Sequence, residues 1–316
     1  MLQSDFILKR VLENDLKEVV WLFELTFGVK ITEESLYLKM TQGHDERFHF
    51  LCHLAYFNNH PVAFFGFYAM PFLLNDNYYY GAQSGDVMTH PEFQRKGLFQ
   101  LLSQKSIQHA KEVGIDFLFA FPNELSHPGF IKKMSFFSLP STLSITFFEN
   151  KFEMNRFIFK SSVFRKIQFF LFKKMCFIFS SKGDFFQNSN KHSENLLYCD
   201  HSKDFFQEKS EEKILISVFQ TNVWLAKKNN AIVIGDIDSD DIDKILKIIS
   251  FLKKIVFFSG YRFLTIGGSA NSVIVRKLTN LKKFASNEAY NPVVRWLSPD
   301  LSNIEISFLN SDADVF

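Results

Sequence analysis

Residues 85–102 read GDVMTHPEFQRKGLFQLL. The stretch begins like an apolar strand, passes through His-Pro into a basic turn, and continues with the spacing of a helix. Backbone N–H groups at a helix start have no intrahelical partners, and together with the helix dipole they attract an anion. Arg95 and Lys96 add positive charge there, and Gly97 lets a ligand approach because it has no Cβ atom. Two interpretations stay open: a solvated helix start, or a binding site for a phosphate-bearing ligand.

The composition is that of a globular protein. Of the 316 residues, 47% are hydrophobic and 22% are charged, and the net charge is only +2. These values argue against disorder and against nucleic acid as a partner. The chain is long enough for one large domain or two ordinary ones.

The cysteines and the start of the chain predict a cytoplasmic protein. Cys52, Cys176 and Cys199 are far apart and have no CxxC spacing. This argues against a disulfide framework and against a zinc site, so we expect a reducing compartment and no metal. We see no signal-peptide pattern and no uninterrupted apolar run of about 18 residues, the length of a spanning helix.

The segments around the basic turn alternate between strand-like and helix-like patterns. Their order predicts an α/β fold with a mixed sheet and helices on its faces, finished near residue 150. The predicted elements are a strand at 5–10, a helix that Asn14 or Asp15 caps and Gly28 ends, a helix at 34–43, strands at 48–57, 60–74 and 78–90, a helix from 98 to Gly114, a strand at 115–121 and a helix in the second half of 122–137.

Residues 151–182 carry eight Lys or Arg against one Glu, interleaved with aromatic residues. One interpretation is a basic amphipathic helix in peripheral contact with an anionic membrane. The other is a helix that covers the core and keeps its lysines in solvent. Residues 183–212 are polar and resemble a linker. We therefore predict a first domain at 1–150, a basic aromatic helix with a polar linker at 151–212, and a second domain at 213–316.

The second half weakly repeats the first. The segments that begin at Gly114 and Gly260 each follow an amphipathic helix, continue as a strand with Phe-Leu at matching offsets, and end in a Lys-containing helix. This favours a tandem duplication. Five aspartates stand before the second helix, where they would cap it but repel a phosphate, so we expect a phosphate ligand only in the first half. They are Asp236, Asp238, Asp240, Asp241 and Asp243.

The segment DVMTHPEFQRKGLFQLL resembles the acyl-CoA-binding signature of the GCN5-related N-acetyltransferases (GNAT). In that family a strand leads through Gln/Arg-x-x-Gly-x-Gly/Ala into a helix. Here the turn runs from Gln94 to Phe99, and Phe99 replaces the final small residue. The following FLFAFPNELSHPGFIKKMSFF resembles the next strand of the family, an Asn at its exit, and a helix that ends near Gly-Phe, here Ser135-Phe136. The resemblance implies the GNAT acyl-CoA N-acyltransferase fold, in tandem, with a degenerate second copy.

The same resemblance implies a ligand and a reaction. Acetyl-CoA would be the cosubstrate, and the acetyl group would pass to a primary amine of a small molecule. Backbone groups on the strand would bind the pantetheine arm, N–H groups of the turn the pyrophosphate, and the strand-exit Asn would lie near the arm. The implied cosubstrate-binding residues are Val87, Met88, Gln94, Arg95, Lys96, Gly97, Leu98, Phe99 and Asn123.

Attack on the thioester requires a neutral amine, so a base or a water relay must accept a proton. Asp86 lies in the core strand, where burial favours the neutral carboxyl form. Glu124 and His127 follow the strand-exit Asn, and His90 precedes the basic turn. Each also has a structural interpretation: a buried carboxylate bonded to backbone, a helix cap or a turn residue.

Two further positions bear on catalysis. A tyrosine that often protonates the leaving thiolate in this family has its place at Ile131 here, so another group must act or the thiolate leaves unaided. In the related enhanced-intracellular-survival acetyltransferases, which are longer and also stack two GNAT-like domains, the terminal carboxylate takes part in catalysis. The chain ends in Phe316, whose carboxylate is therefore a candidate, against the simpler interpretation of an ordinary terminus.

Three functions follow from the resemblance. The first is an acetyl-CoA-dependent N-acetyltransferase, with an amino sugar as our guess for the acceptor. The second is a non-catalytic protein that binds or senses acyl-CoA, which Phe99 and Ile131 favour. The third is an aminoacyl-tRNA-dependent transferase of the Fem type, against which the intact turn from Gln94 to Gly97 argues.

Overall fold

The computed structural model describes residues 5–41, 45–150, 162–183, 188–191, 193–201 and 213–312, without the side chains of 162 and 163. The chain divides into two compact units. The first comprises residues 1–139 and 291–304, and the second comprises residues 140–290 and 305–316.

The elements of the first unit follow the predicted order closely. Its sheet has the strand order β1-β2-β3-β4-β5-β15-β6, in which β4 and β5 are parallel and the other neighbours are antiparallel. The elements are β1 Ile7–Arg10, α1 Leu16–Phe27, α2 Glu33–Met40, β2 Leu51–Phe57, β3 His60–Leu74, β4 Asn77–Thr89, α3 Leu98–Glu112, β5 Phe117–Ala120, α4 His127–Met134, β6 Phe137–Ser138 and β15 Val293–Trp296.

Both faces of this sheet carry helices, as the alternating pattern predicted. On one face α3 packs its apolar stripe, which includes Leu98, Leu102 and Ile107, against the sheet in one buried cluster. On the other face α1 and α2 bury Leu22 and Leu36 in a second cluster. The central strand β3 is buried almost throughout because it lies between these two layers.

The second unit has a sheet of the same design. Its strand order is β14-β7-β13-β12-β11-β10-β8, with β12 and β13 parallel. β9 pairs with β16 outside this sheet. The elements are β7 Leu143–Glu149, α5 Ser162–Phe179, β8 Ser181–Lys182, β9 Leu196–Cys199, β10 Lys213–Val218, β11 Thr221–Lys228, β12 Ala231–Ile237, α6 Ile242–Phe258, β13 Phe263–Gly268, α7 Val273–Asn280, β14 Ala285–Glu288 and β16 Glu305–Ser307.

The two sheets match strand for strand. Each has one central parallel pair, β4 with β5 and β12 with β13, and an antiparallel neighbour beyond it, β15 and β7. This equivalence is consistent with tandem duplication. The predicted limits of 1–150, 151–212 and 213–316 differ from the observed units, because β7 pairs in the second sheet and β15 in the first.

Helix α5 lies within the predicted basic segment and buries one of its faces. Phe169, Phe172 and Cys176 belong to the core of the second unit, and Lys173 places its ammonium 4.7 Å from the centroid of the Phe169 ring. This packing favours the interpretation of a helix that covers the core. Residues 151–161 lie outside the described part, so membrane contact through 151–182 stays a prediction. Within the described ranges, no helix has the length and apolarity to span a bilayer.

Candidate functional site

A β-bulge interrupts β4 just before its carboxyl end. Phe64 of β3 pairs with Met88, and Gly66 pairs with Gly85, so two residues of β4 oppose the single residue between them. One of the two is Asp86, whose φ of 51° lies in the left-handed region that few residues other than glycine adopt. A bulge bends its strand and disrupts the ladder locally. The bulge therefore alters the direction of β4 at the position that the resemblance assigns to the pantetheine arm.

Strands β4 and β5 separate at the same level. Their parallel register covers only Gly81 with Phe117, Ala82 with Leu118, and Gln83 with Phe119, although β4 continues to Thr89. Past this point the edge of β4 that faces β5 does not pair with it. Since β5 ends at Ala120, the last part of β4 extends beyond it, and we call the region at the carboxyl ends of the two strands the cleft because ligands bind there in open α/β sheets.

The basic turn connects the end of β4 to α3. A single 3-10 turn spans Pro91–Phe93, and the backbone then adopts left-handed conformations at Arg95 (φ 62°) and Gly97 (φ 81°). Gly97 is the N-cap of α3, no side chain caps this end, and the first turn carries no acidic residue. The start of the helix therefore leaves its N–H groups to a ligand, as an anion site requires.

Two cations flank this helix start. Arg95 is exposed, and within the described part of the chain no residue forms an ion pair with it. Lys96 holds its ammonium 4.4 Å from the centroid of the Phe93 ring, a cation–π contact that fixes the side chain beside the turn. Gln94 is exposed as well. The positive charges of Arg95 and Lys96 favour an anionic ligand such as a phosphate.

Phe99 replaces the small residue of the family pattern because its ring packs in the core. The ring centroid lies 5.7 Å from that of Phe65 and 5.9 Å from that of Phe130. The ring also covers Gly129 of α4, where a Cβ atom would come within 3.0 Å of it. The side chain of Leu98 is buried in the same cluster. Leu98 therefore offers a ligand only its backbone, whereas the partly buried ring of Phe99 is held by its core neighbours.

Asn123 shapes the loop after β5. Its carboxamide oxygen accepts hydrogen bonds from the N–H groups of Leu125 (3.1 Å) and Ser126 (2.9 Å) and from the Ser126 hydroxyl (3.0 Å). This Asx turn leads the chain into α4. The amide nitrogen of Asn123 donates to no described residue, and the side chain is exposed. It is thus available to a ligand in the cleft.

The carboxylate of Asp86 has two partners that the sequence did not single out. Its Oδ2 accepts hydrogen bonds from Lys39 Nζ of α2 at 2.5 Å and from the Tyr68 hydroxyl of β3 at 2.8 Å. Lys39 also lies over the Tyr68 ring, 4.8 Å from its centroid. The side chains of Lys39 and Asp86 are only 18% and 13% exposed, so the pair is shielded from solvent. This ion pair fixes the bulge residue, and the role of Asp86 as a base stays a prediction.

The other predicted acid–base residues lie in loops and at a helix start. Glu124 is exposed and bonds to no described side chain. His90 Nδ1 accepts a hydrogen bond from the Glu92 N–H group at 3.2 Å, as the turn interpretation expected. His127 Nε2 lies 3.3 Å from the Ser138 hydroxyl. No hydrogen bond among the described residues joins any of them to Asp86.

The position assigned to the family tyrosine is apolar in the structure too. Ile131 packs against the core of the first unit, so this position supplies no proton. Phe316, the candidate terminal carboxylate, lies outside the described residues.

In the second unit the chain itself fills the equivalent cleft. β12 has a bulge at Gly235, since Trp224 pairs with Asp236 and Leu225 pairs with Ile234. The Ser311 hydroxyl donates to the Gly235 carbonyl at 3.0 Å, and Leu309 forms a β-bridge with Gly268 at the end of β13. Residues 309–312 therefore occupy the space where β12 and β13 part, and we call them the plug.

The helix that follows this second bulge is closed as well. The carboxylate of Asp241 accepts hydrogen bonds from the N–H groups of Asp243 (2.9 Å) and Lys244 (3.3 Å) at the start of α6. A carboxylate in this position satisfies the N–H groups that an anion would otherwise bind. Of the five aspartates, Asp241 thus caps the helix as the sequence predicted, whereas Asp236 lies buried in β12, and the open arrangement belongs to the first unit.

Comparisons with known proteins agree with this geometry. Residues 8–136 match the model of the GNAT acetyltransferase domain, a segment that contains the bulge, the cleft and the basic turn. No curated protein matches the chain.

Solved structures share the fold over nearly the whole chain. An Enterococcus faecalis protein described as a probable N-acyltransferase superposes with a TM-score of 0.61 at 10% identity, over 93% of this chain and 73% of that chain. A GCN5-related N-acetyltransferase from Kribbella flavida gives 0.58 at 13%, over 93% and 71%. A putative acetyltransferase from Pyrococcus horikoshii gives 0.54 at 14%, over 97% and 92%. Identities this low establish the fold, and the family model identifies residues 8–136 as an acetyltransferase domain of the GNAT family.

Proposed function

We propose that the first unit binds acetyl-CoA and transfers its acetyl group to a primary amine of a small molecule. One observation carries the proposal: a bulged strand opens a cleft and then leads directly into an uncapped, basic helix start. The cleft suits an extended thioester arm, and the helix start suits its pyrophosphate.

Each part of the site has a role in this reaction. The N–H groups at Gly97, Leu98 and Phe99 bind the pyrophosphate, with Arg95 and Lys96 as counter-charges. Backbone groups of Val87 and Met88 bind the pantetheine arm. An N–H group at the bulge polarises the thioester carbonyl, because such donors stabilise the charge that develops on its oxygen.

The chemistry requires one proton acceptor. The neutral amine attacks the carbonyl carbon, the C–N bond forms, and the C–S bond breaks to release the CoA thiolate. The proton on the nitrogen passes to Asp86 or, through water, to Glu124. The thiolate takes its proton from solvent, since no tyrosine stands at Ile131. An amino sugar remains our proposed acceptor, and we propose one working site per chain because the plug fills the second cleft.

The alternative is a protein that binds acyl-CoA without turning it over. Two observations favour it: Lys39 and Tyr68 already occupy Oδ2 of Asp86, and Ile131 cannot donate a proton. Both functions use the same cleft, so they differ only in turnover.

Thermal-shift titration with acetyl-CoA tests the shared part of both functions. We expect acetyl-CoA to raise the Tm of the wild type and not that of Gly97→Glu, whose carboxylate would repel the pyrophosphate. Gly114→Glu is the matched control, because Gly114 also has a positive φ (87°) and a Cβ atom there would meet nothing within 4 Å. A wild type that acetyl-CoA does not stabilise would refute the proposal.

Thiol release separates the two functions. The wild type is mixed with acetyl-CoA and a panel of amino sugars and other small amines, and free CoA is measured with a thiol reagent while mass spectrometry detects the acetylated amine. Release with an acetylated product supports the enzyme. Stabilisation by acetyl-CoA without release across the panel supports the binding protein.

A further inference from the structure

The second unit contains a buried cluster that the proposed reaction does not use. Cys199 ends β9, His201 follows it, Asp236 lies at the bulge of β12, and Asp312 ends the plug. None of these four residues is more than 1% exposed. Burial of a carboxylate without compensating positive charge costs roughly several kcal/mol, and this cluster contains two. The cluster therefore needs positive charge inside it, from a protonated imidazole or from a metal ion.

The side chains converge on the imidazole of His201. Its Nε2 lies 2.6 Å from Asp312 Oδ1, and its Nδ1 lies 3.3 Å from Asp236 Oδ2. Cys199, His201 and Asp312 each offer one ligand atom, and these three atoms lie within 4.8 Å of one another. Thiolate, imidazole and carboxylate together are a donor set that suits Zn²⁺.

We propose that Cys199 Sγ, His201 Nε2 and Asp312 Oδ1 bind a zinc ion. Asp236 Oδ2 lies 3.3 Å and Asn188 Nδ2 lies 3.2 Å from Nδ1 of His201. With its Nδ1–H group donated to Asp236, the ring would leave Nε2 free for the metal. Backbone N–H groups hold the carboxylates of Asp236 and Asp312 in place. Asp236 Oδ1 accepts from the Ile237 N–H group at 2.8 Å, and Asp312 Oδ2 accepts from the Leu309 N–H group at 2.8 Å.

A metal ion that enters this site replaces protons. Zinc bonds of about 2.0 Å to nitrogen and oxygen and about 2.3 Å to sulfur place donor atoms more than 3 Å apart, so His201 and Asp312 must separate slightly when the ion enters. In the metal-free protein a proton between Nε2 and Oδ1 takes the place of the ion. Binding therefore releases that proton and the thiol proton of Cys199 to solvent, and no redox step is involved.

The ion would have a structural role. It would join the plug, through Asp312, to the end of β9 through Cys199. Since the plug fills the cleft between β12 and β13, the metal would keep the second unit closed to ligands. A cluster held by protons alone is the competing explanation, and the test separates the two.

Cobalt substitution of the full chain gives the sharpest test. We expect the chelator-treated wild type to bind one equivalent of Co²⁺ and to develop a near-ultraviolet sulfur-to-cobalt charge-transfer band. Cys199→Ser should lose this band. Cys176→Ser is the matched control and should keep it, because Cys176 is buried in the core of the same unit and burial raises the pKa of its thiol to about 12.

Zinc affinity gives a second measurement that does not depend on the cysteine variant. In competition with a chromophoric chelator, Asp236→Asn should bind Zn²⁺ with about 10- to 100-fold lower affinity, since it weakens only the partner of a ligand. A wild type that binds no Co²⁺ with a sulfur band, or a band that survives in a folded Cys199→Ser, would overturn the proposal.

Discussion

The ring of Phe99 in α3 covers Gly129 in α4, where a Cβ atom would lie 3.0 Å from Cε1 of the ring. A residue that departs from the family pattern in one helix is thus matched by a glycine in the next. The two positions should therefore behave as a coupled pair rather than as independent sites.

A double-mutant cycle tests this coupling. Alanine is the better helix former by about 1 kcal/mol, but in the wild type Gly129→Ala must push the Phe99 ring aside. In a Phe99→Ala background the clash is gone, so we expect Gly129→Ala to be more favourable there by about 1 kcal/mol. Urea unfolding of the four proteins measures the difference. Equal effects of Gly129→Ala in both backgrounds would contradict the packing described here.

Arg95 should contribute to acetyl-CoA binding through its charge. We expect Arg95→Ala to raise the KM for acetyl-CoA about 5- to 10-fold and to leave kcat nearly unchanged. This factor corresponds to a binding free energy of about 1–1.5 kcal/mol from one counter-charge. The effect should shrink in 0.5 M salt because exposed charges are screened. Arg276→Ala is the control, since Arg276 is an exposed arginine of the second unit. A salt-independent effect would point to misfolding instead.

Asp86 should matter for turnover more than for cosubstrate binding if it accepts the proton. We expect Asp86→Asn to lower kcat by about 10²-fold or more while the thermal shift with acetyl-CoA persists. Lys39→Met breaks the same ion pair from its other end and gives the comparison. If both variants lose stability equally and the kcat of Asp86→Asn stays near that of the wild type, the carboxylate only anchors the bulge.

Stability should fall in mild acid because of a buried histidine. Burial, aided by the nearby positive charges of His109, Arg10 and Lys105, lowers the pKa of His53 from 6.5 to about 4. Burial also lowers the pKa of His109, the ring beside it. The unfolded chain therefore binds more protons between pH 6.5 and 4, so the stabilisation is complete above pH 6.5 and declines as the pH falls toward 4.

The expected loss from His53 over this window is about 3 kcal/mol, from 1.36 kcal/mol per unit of pKa. Urea unfolding at pH 7.5, 6, 5 and 4 measures it. His53→Gln should flatten the curve, because its amide does not titrate there. His60→Gln, at an exposed histidine, should leave the curve as it is in the wild type. A wild-type stability that is constant from pH 7 to 5 would contradict this account.

Calorimetric titration should find one acetyl-CoA site per chain. The first helix start is uncapped, whereas Asp241 and the plug close the second. Removal of the side chain in Asp241→Ala should not create a second site, because the plug still fills the cleft. A stoichiometry of two in the wild type would contradict the difference between the units.

Local patterns predicted the elements of the first unit because their causes are local. β3 spans the predicted residues 60–74, and Gly28 ends α1 in the left-handed conformation. Apolar spacing fixes which face of an element is buried, and glycine fixes where a helix ends. The uncapped turn after β4 was predictable for the same reason, since residues 94–97 contain both its charge and its glycine.

Features that depend on distant pairing could not be predicted from one sequence. The segments of β7 and β15 have ordinary strand patterns, and neither pattern indicates which sheet the strand joins. Lys39 meets Asp86 only because α2 packs over β3, and its spacing in α2 does not mark it as a partner. Likewise Cys199 and Asp312 are far apart in sequence, so the absence of a CxxC spacing gave no warning of the buried cluster.

The position of β15 has a consequence for biosynthesis. This strand extends the first sheet next to β5, yet it is translated after almost all of the second unit. When the N-terminal segment leaves the ribosome, its sheet still lacks the penultimate strand. At about 5–20 residues per second, the missing strand is synthesised many seconds later. During that interval, the edge of β5 that later binds β15 stays unpaired. The amino-terminal unit is therefore completed only near the end of synthesis, and a nascent chain that stops before residue 293 cannot finish it.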